Sequence, residues 1–444
     1  MYKTVSLHTL GCKLNYSETS SITKQFVNRG IEIKEYGEKT DIFVLNTCTV
    51  TNNADRECKQ IIRSVIRNNP ETYVIVTGCY AQLQPGEISA IEGIDLILGT
   101  NEKFKLFDYI ENFQTEGLSC FGKKQKAGIF VSPLEDDNYV GEAFSSDIDS
   151  RTRAFLKIQD GCDYNCSFCT IPLARGKSRS LEIGKVTENA KKIIDSGYKE
   201  IILTGVNTGD YHYEDGVNKY KLIDVLYRLE KLDIKRIRIS SIEPNLLSDD
   251  IIELVKSSDK FCNHFHIPLQ SGDGEILKLM RRRYNLDFFG NLIQKLNEKI
   301  EDAGIGIDVI IGFPGETEKH FENTYNFLNS LQISYLHVFS YSERRNTLAV
   351  TLDGKVDIKE RKNRSSILRN LSNKKRFEFY LKHTGSRKEV LFETGKDGKI
   401  EGWTDNYIRV RSDFQKEFEN KILLADLGEV NGSKYINGKV NKQN

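Results

Sequence analysis

The stretch Gly161-Cys162-Asp163-Tyr164-Asn165-Cys166-Ser167-Phe168-Cys169 decides how this chain is read. Its three thiols fall in the spacing C-x3-C-x2-C, just after a short apolar run at 155–159 that reads as a strand. Three thiolates this close can wrap a compact metal centre, but they leave one iron of a cubane cluster without a cysteine. That open iron can bind a ligand directly. Structural zinc sites use four protein ligands, and ferredoxins supply four cysteines per cluster. A zinc knob or an electron-transfer cluster stays open on spacing alone. A place at the carboxyl end of a strand, where barrel active sites sit, weighs against both.

Around this stretch, residues 151–350 alternate strand and helix patterns. Strands are expected at 155–159, 201–205, 236–242, 265–269, 307–312 and 335–341. Helices are expected at 183–196, 221–232, 249–255, 275–279, 286–303 and 318–331. Six β/α units in a row predict a barrel or partial barrel. Residues 1–117 show the same alternation, with strands at 4–12, 41–48 and 73–79 and helices at 15–29 and 54–68, which predicts an open parallel α/β domain. From 117 to 150 the pattern dissolves into Gly, Ser, Asp and Lys, with one strand at 129–131. A basic helical stretch follows 357, and beyond 385 β-branched runs and Gly turns make a small all-β module. The expected boundaries are therefore 1–117, an interdomain segment 118–150, 151–357, a basic connector 358–384, and 385–444.

Cys12, Cys48 and Cys79 are far apart in sequence, yet each closes an expected strand. Strand carboxyl ends of a parallel sheet converge on one edge, the usual ligand site of open α/β folds. Three thiolates meeting there can hold a second cluster, again with one open iron; three buried core cysteines are the alternative. Cys58, Cys120 and Cys262 belong to neither set and read as packing or incidental thiols.

Of 444 residues, 39% are apolar and 29% charged, which fits a soluble globular chain. No apolar run is long enough to span a bilayer, and the N-terminus reads as a strand and not a signal peptide, so a cytoplasmic protein without membrane attachment is expected. Nine cysteines in such a chain point to metal or catalysis and away from disulfides. The net charge of +1 hides a local asymmetry: residues 358–388 hold eleven Lys or Arg against two Glu. That run reads as a nucleic-acid contact, with a solvated helix face as the alternative.

Cys162, Cys166 and Cys169 match the cluster motif of the radical S-adenosylmethionine superfamily, and the chain is similar to it. The resemblance implies a partial (β/α)6 barrel. It also implies that S-adenosylmethionine binds the open iron of a 4Fe–4S cluster and is cleaved to a 5′-deoxyadenosyl radical. Leu10-Gly11-Cys12-Lys13-Leu14-Asn15, Asn46-Thr47-Cys48-Thr49-Val50 and Gly78-Cys79-Tyr80-Ala81-Gln82 extend the likeness to the methylthiotransferase family. By that resemblance Cys12, Cys48 and Cys79 hold an auxiliary 4Fe–4S cluster carrying the sulfur that is methylated and inserted into a C–H bond. One S-adenosylmethionine supplies the methyl group and a second the radical. Polar or Gly-rich strand ends would contact S-adenosylmethionine through Gly205, Asn207, Ser240, Glu243, Gln270 and Asp308. Beyond the cluster ligands no catalytic residue is singled out. His264 and His266 share one strand face, and radical hydrogen abstraction needs no general base, so packing and hydrogen bonding are the ready account of them.

The C-terminal module resembles the TRAM domain, a small β-barrel associated with RNA, with Tyr407, Arg409 and Arg411 on one candidate strand. Arg281, Arg282 and Arg283 are expected to add a positive patch near the barrel mouth. His8-Thr9-Leu10-Gly11-Cys12-Lys13-Leu14-Asn15, Val50-Thr51 and Cys262-Asn263-His264-Phe265-His266 look most like the enzymes acting on threonylcarbamoyladenosine; the isopentenyladenosine enzymes carry Gln after the first cysteine. One departure is Asn346 in Tyr341-Ser342-Glu343-Arg344-Arg345-Asn346-Thr347, where the family usually has Gly. The resemblance implies a transferase acting on a tRNA anticodon stem-loop that carries threonylcarbamoyladenosine. It also implies a low-potential electron donor such as flavodoxin or ferredoxin. Methylthiolation of a ribosomal-protein aspartate and an RNA-binding iron–sulfur protein without that activity are the alternatives. Oligomeric state is not legible.

Overall fold

Short β-branched runs form a parallel sheet in the N-terminal region of the computed structural model, which describes residues 2–115, 127–134, 140–145 and 152–440. The sheet has six strands, ordered Glu32–Lys34, Thr4–Thr9, Ile42–Thr47, Tyr73–Gly78, Leu96–Leu98 and Gly128–Phe130. Both central strands are buried throughout, as a sheet covered on two faces requires. Helices Lys13–Val27 and Leu106–Thr115 cover one face through Ile22, Phe26 and Leu106, while Asn52–Asn68 covers the other through Cys58 and Ile62. The strand expected at 129–131 exists, one residue earlier, and it extends this sheet.

The six expected barrel strands are present in sequence order. Arg153–Lys157, Glu200–Thr204 and Arg236–Ile239 pair in parallel, as do His264–Gln270, Gly304–Ile311 and Tyr335–Ser340. Parallel bridges Ile237–Phe261 and Ser241–His266 join the two halves. Alternate residues such as Leu156, Leu203, Ile239, Ile267 and Ile307 pack outward against the helices in one core. Their neighbours therefore face a lumen. The first and last strands do not pair, and helix Lys13–Val27 packs beside the first of them.

Helix Ile358–Leu381 lies along the last barrel strand and leads into five strands, Arg387–Phe392, Lys399–Trp403, Arg409–Asp413, Ile422–Asn431 and Tyr435–Val440. These close into a barrel around Val390, Ile400, Val410 and Ile436. The fold is thus α/β: an open parallel sheet, a partial (β/α)6 barrel and a small all-β barrel. The small barrel seals the amino-terminal end of the larger one. Arg236 donates to the carbonyls of Trp403 and Glu389, and Arg238 to those of Thr404 and Asp405. No helix is long and apolar enough to cross a membrane among the described residues.

Candidate active site

The first barrel strand runs through a short strand, Gln159–Asp160, into Gly161, whose φ is +71°. A Cβ at that position would run into the Lys177 carbonyl, so only Gly fits. The turn releases a loop in which the backbone N–H groups of Tyr164 and Ile171 each point at a cysteine sulfur, Cys162 Sγ and Cys169 Sγ, at 3.4 Å. The Arg282 guanidinium donates to Cys166 Sγ at 3.1 Å and ion-pairs with Glu243. Burial pushes the Cys162 thiol up to about 11 and Cys169 up to about 12, and it raises Cys166 as well. Thiols so placed stay protonated unless a metal takes the proton's place. The donor set suits a three-cysteine iron–sulfur site.

The second trio assembles at the carboxyl edge of the N-terminal sheet. Cys12 caps helix Lys13–Val27, Cys48 follows strand Ile42–Thr47, and Cys79 opens the short helix Cys79–Leu83. Gly11, at φ +103°, lies so close to Cys48 that an added Cβ would sit 2.7 Å from its Cβ. Asn15 fastens these loops by donating to the Leu10 and Thr47 carbonyls. Cys12 is exposed, while Cys48 and Cys79 keep 8% and 3% of their surface. The Cys48 thiol is pushed up to about 12, first by burial and then by the neighbouring sulfurs Cys79 and Cys12. The three thiols are therefore one group, and they too suit an iron–sulfur site. Cys58 packs in the core beneath Cys48, and Cys262 is buried elsewhere; Cys120 lies outside the described residues.

Charged contacts join the segments that carry the two trios. Helix Ile171–Arg175, two residues beyond Cys169, packs on helix Cys79–Leu83. Arg175, 1% exposed, donates to Glu18, Asp160 and Asn15. Lys157 lies 3.1 Å from Glu18 and 2.6 Å from Asp160; Lys103 completes the group as an ion pair to Glu18 at 2.6 Å, outside hydrogen-bonding geometry. Arg344 makes a second bridge, donating to Thr49, Asn52 and Asp55 just past Cys48. Its loop turns at Asn346, with φ +65°.

The residues expected to contact S-adenosylmethionine divide into two groups. Asn207 keeps both side-chain polar atoms buried without a partner, as do Thr204 Oγ1 and Asp210 Oδ2 beside it. Buried orphan polar atoms at a strand end fit a polar ligand. Gly205 and the Asn207 N–H close on Gln159. Ser240 is buried at its strand end, Gln270 sits at a β-bulge with φ +73°, and Glu243 pairs with Arg282. Asp308 stands apart from these, held by His266 at 2.8 Å and His337 at 3.3 Å. These three could hold a cation: both imidazoles approach the same oxygen, Asp308 Oδ1, outside hydrogen-bonding geometry. The patch expected at 281–283 is divided: Arg282 turns in to Cys166, and Arg283 stacks on Tyr164. No local motif marks Asp210, Arg175, Arg344 or the contact of Arg282 with Cys166, and sequence reasoning does not reach them.

The lumen floor is aromatic. His264 bonds Tyr335 Oη at 2.8 Å and stacks on Tyr407 at 4.5 Å, and Tyr407 stacks on Trp403. Lys13 has exposed surface, although Arg153, Glu200, Arg238 and Tyr407 all act on its ammonium and desolvation lowers its pKa. Both hold for a side chain that projects into a cavity. Outside the open flank a cleft of about 760 Å³ is lined by His337, Arg376, Tyr407, Arg409, Arg411 and Lys434.

Residues 156–328 match the model of the Radical SAM superfamily, and residues 4–99 that of Uncharacterized protein family UPF0004. The chain is 40% identical over 431 residues to the threonylcarbamoyladenosine tRNA methylthiotransferase MtaB of Bacillus subtilis, covering 96% of this chain and 93% of that one. To the protein of the same name from Aquifex aeolicus it is 36% identical, covering 93% and 97%. Among solved structures, the radical S-adenosylmethionine methyltransferase TsrM of Kitasatospora setae superposes with a TM-score of 0.51 at 14% identity, over 76% of this chain and 73% of that one. That last likeness concerns the fold alone.

Proposed function

The chain belongs to the radical S-adenosylmethionine methylthiotransferase family, and from that premise we propose that it converts threonylcarbamoyladenosine beside a tRNA anticodon to its 2-methylthio form. One observation supports the reading: helix Ile171–Arg175, just past Cys169, packs on helix Cys79–Leu83, which brings the chain segments of the two cysteine trios together. When bound, the two 4Fe–4S clusters supply an electron for cleaving S-adenosylmethionine and the sulfur to be transferred.

The chain's own residues do the positioning. Cys162, Cys166 and Cys169 leave one coordination position for the methionyl group, and the orphan atoms of Thr204, Asn207 and Asp210 give polar anchors for the rest of that molecule. Arg282 places positive charge on the Cys166 sulfur. Arg175 and Arg344 dock the N-terminal domain on the barrel. The cleft between the last barrel strand and the C-terminal barrel combines Arg and aromatic side chains, as single-stranded RNA binding asks. We assign the C-terminal barrel to tRNA in the manner of a TRAM domain, a low-potential protein to electron delivery, and the cytoplasm as the place of action. Nucleoside mass spectrometry of tRNA from cells lacking the gene tests this. Loss of 2-methylthio-threonylcarbamoyladenosine is expected; an unchanged amount, with no second such enzyme present, refutes it.

A further inference from the structure

We propose that Lys13 receives the carboxylate of the threonyl group on the substrate base, and so selects the acidic modification at the sulfur-transferring edge. The proposal rests on the substrate assigned above.

Lys13 finds no counter-ion in the carboxylates around it. Glu200 is taken by Arg238 at 2.8 Å. Asp308 is taken by His266 and His337. Arg153 pairs with Glu393 at 3.0 Å, and Glu18 and Asp160 serve Arg175 and Lys157. Lys13 has no ion pair or side-chain hydrogen bond to the described residues; it is exposed, and Tyr407, Arg238, Arg153 and Glu200 lie near enough to act on its charge. A cation beside two guanidinium groups and without a partner is disfavoured, and an incoming anion relieves that.

The position also fits the substrate's shape. Lys13 directly follows Cys12, so its backbone lies at the edge where C2 of the base must be presented. The threonylcarbamoyl group hangs from N6, across the ring from that edge. A lysine side chain, four methylenes long, reaches past a base so placed to a carboxylate beyond it. The aromatic floor of Tyr335, His264 and Tyr407 suits the flat carbamoyl-purine beside that contact. S-adenosylmethionine also carries a carboxylate, and the experiment separates the two sources.

The test uses the reconstituted holoenzyme and two anticodon stem-loop RNAs, one with threonylcarbamoyladenosine and one with its neutral threoninamide counterpart. Wild type is expected to bind and convert the acid form about thirty-fold better than the amide. Lys13→Met is expected to lose that preference by weakening on the acid RNA alone, while Lys13→Arg keeps most of it. Iron content of each variant verifies the adjacent Cys12 site. The proposal is overturned if Lys13→Met retains the wild-type preference. It is also overturned if Lys13→Met weakens on both RNAs equally, as a contact to S-adenosylmethionine predicts. If wild type forms 5′-deoxyadenosine but no methylthio product on the acid RNA, the substrate assignment itself fails, and this proposal with it.

Discussion

Replacing Arg175 by Met removes the centre of the buried ion group that docks the N-terminal domain. Its guanidinium lies 2.9 Å from both Glu18 Oε1 and Asp160 Oδ1, and 2.6 Å from Asn15 Oδ1. Breaking a buried pair by removing one partner costs roughly 3–5 kcal/mol, because a charge is left uncompensated. Here Lys157 and Lys103 remain beside the two carboxylates, so the lower end, about 3 kcal/mol, applies. Urea unfolding followed by far-ultraviolet circular dichroism reads the loss in the transition of the docked N-terminal domain. The pH dependence follows from the same geometry. Although burial opposes it, Arg175 and the lysines hold the Glu18 and Asp160 carboxyls well below their ordinary range. Their contribution is whole above about pH 5 and fades as acid takes the solution below about pH 4, toward their folded pKa values. Arg175→Met is expected to flatten that acid limb. A loss under about 1 kcal/mol with an unchanged acid limb would refute the docking role.

Three further outcomes are expected. Arg282→Met removes a positive group from Cys166 and leaves Glu243 without its partner, so the cluster's reduction potential should move to more negative values in an EPR-monitored titration. An unchanged potential would show that Arg282 does not act on the cluster. Asn346→Gly should be neutral to within about 1 kcal/mol, while Asn346→Val should cost about 1–2 kcal/mol at φ +65°. Equal thermal midpoints for the two variants would mean the turn is not held there. Arg376 lines the cleft without a carboxylate partner among the described residues, so Arg376→Ala should lower the slope of log affinity for tRNA against log salt by about one. An unaltered slope removes it from the phosphate contacts.

The strand periods and the cysteines that end them were legible because both are local signals. Thr4–Thr9, Ile42–Thr47 and Tyr73–Gly78 stop just before Gly11-Cys12, Cys48 and Cys79, within a few residues of expectation. All six barrel strands were found because each is a short run rich in apolar or aromatic residues and bounded by a turn. What escaped is what folding brings together. Arg175 reads as the end of a cluster loop, and only the docked helix Lys13–Val27 makes it the centre of an ion group. Asp308 alternates correctly for the lumen, but its neighbours His266 and His337 lie on two other strands. Lys13 was visible as the residue after the first cysteine, where the isopentenyladenosine enzymes carry Gln, but nothing in the spacing shows the Arg, Glu and Tyr side chains that act on it.

The central claim is that two separate cysteine trios each hold a cluster. Iron and sulfide content of anaerobically reconstituted protein tests it most directly, comparing wild type with the triple alanine variants at Cys12, Cys48 and Cys79 and at Cys162, Cys166 and Cys169. About eight iron atoms are expected in wild type and about four in each variant. Four in wild type, or eight retained after either trio is removed, would contradict the account.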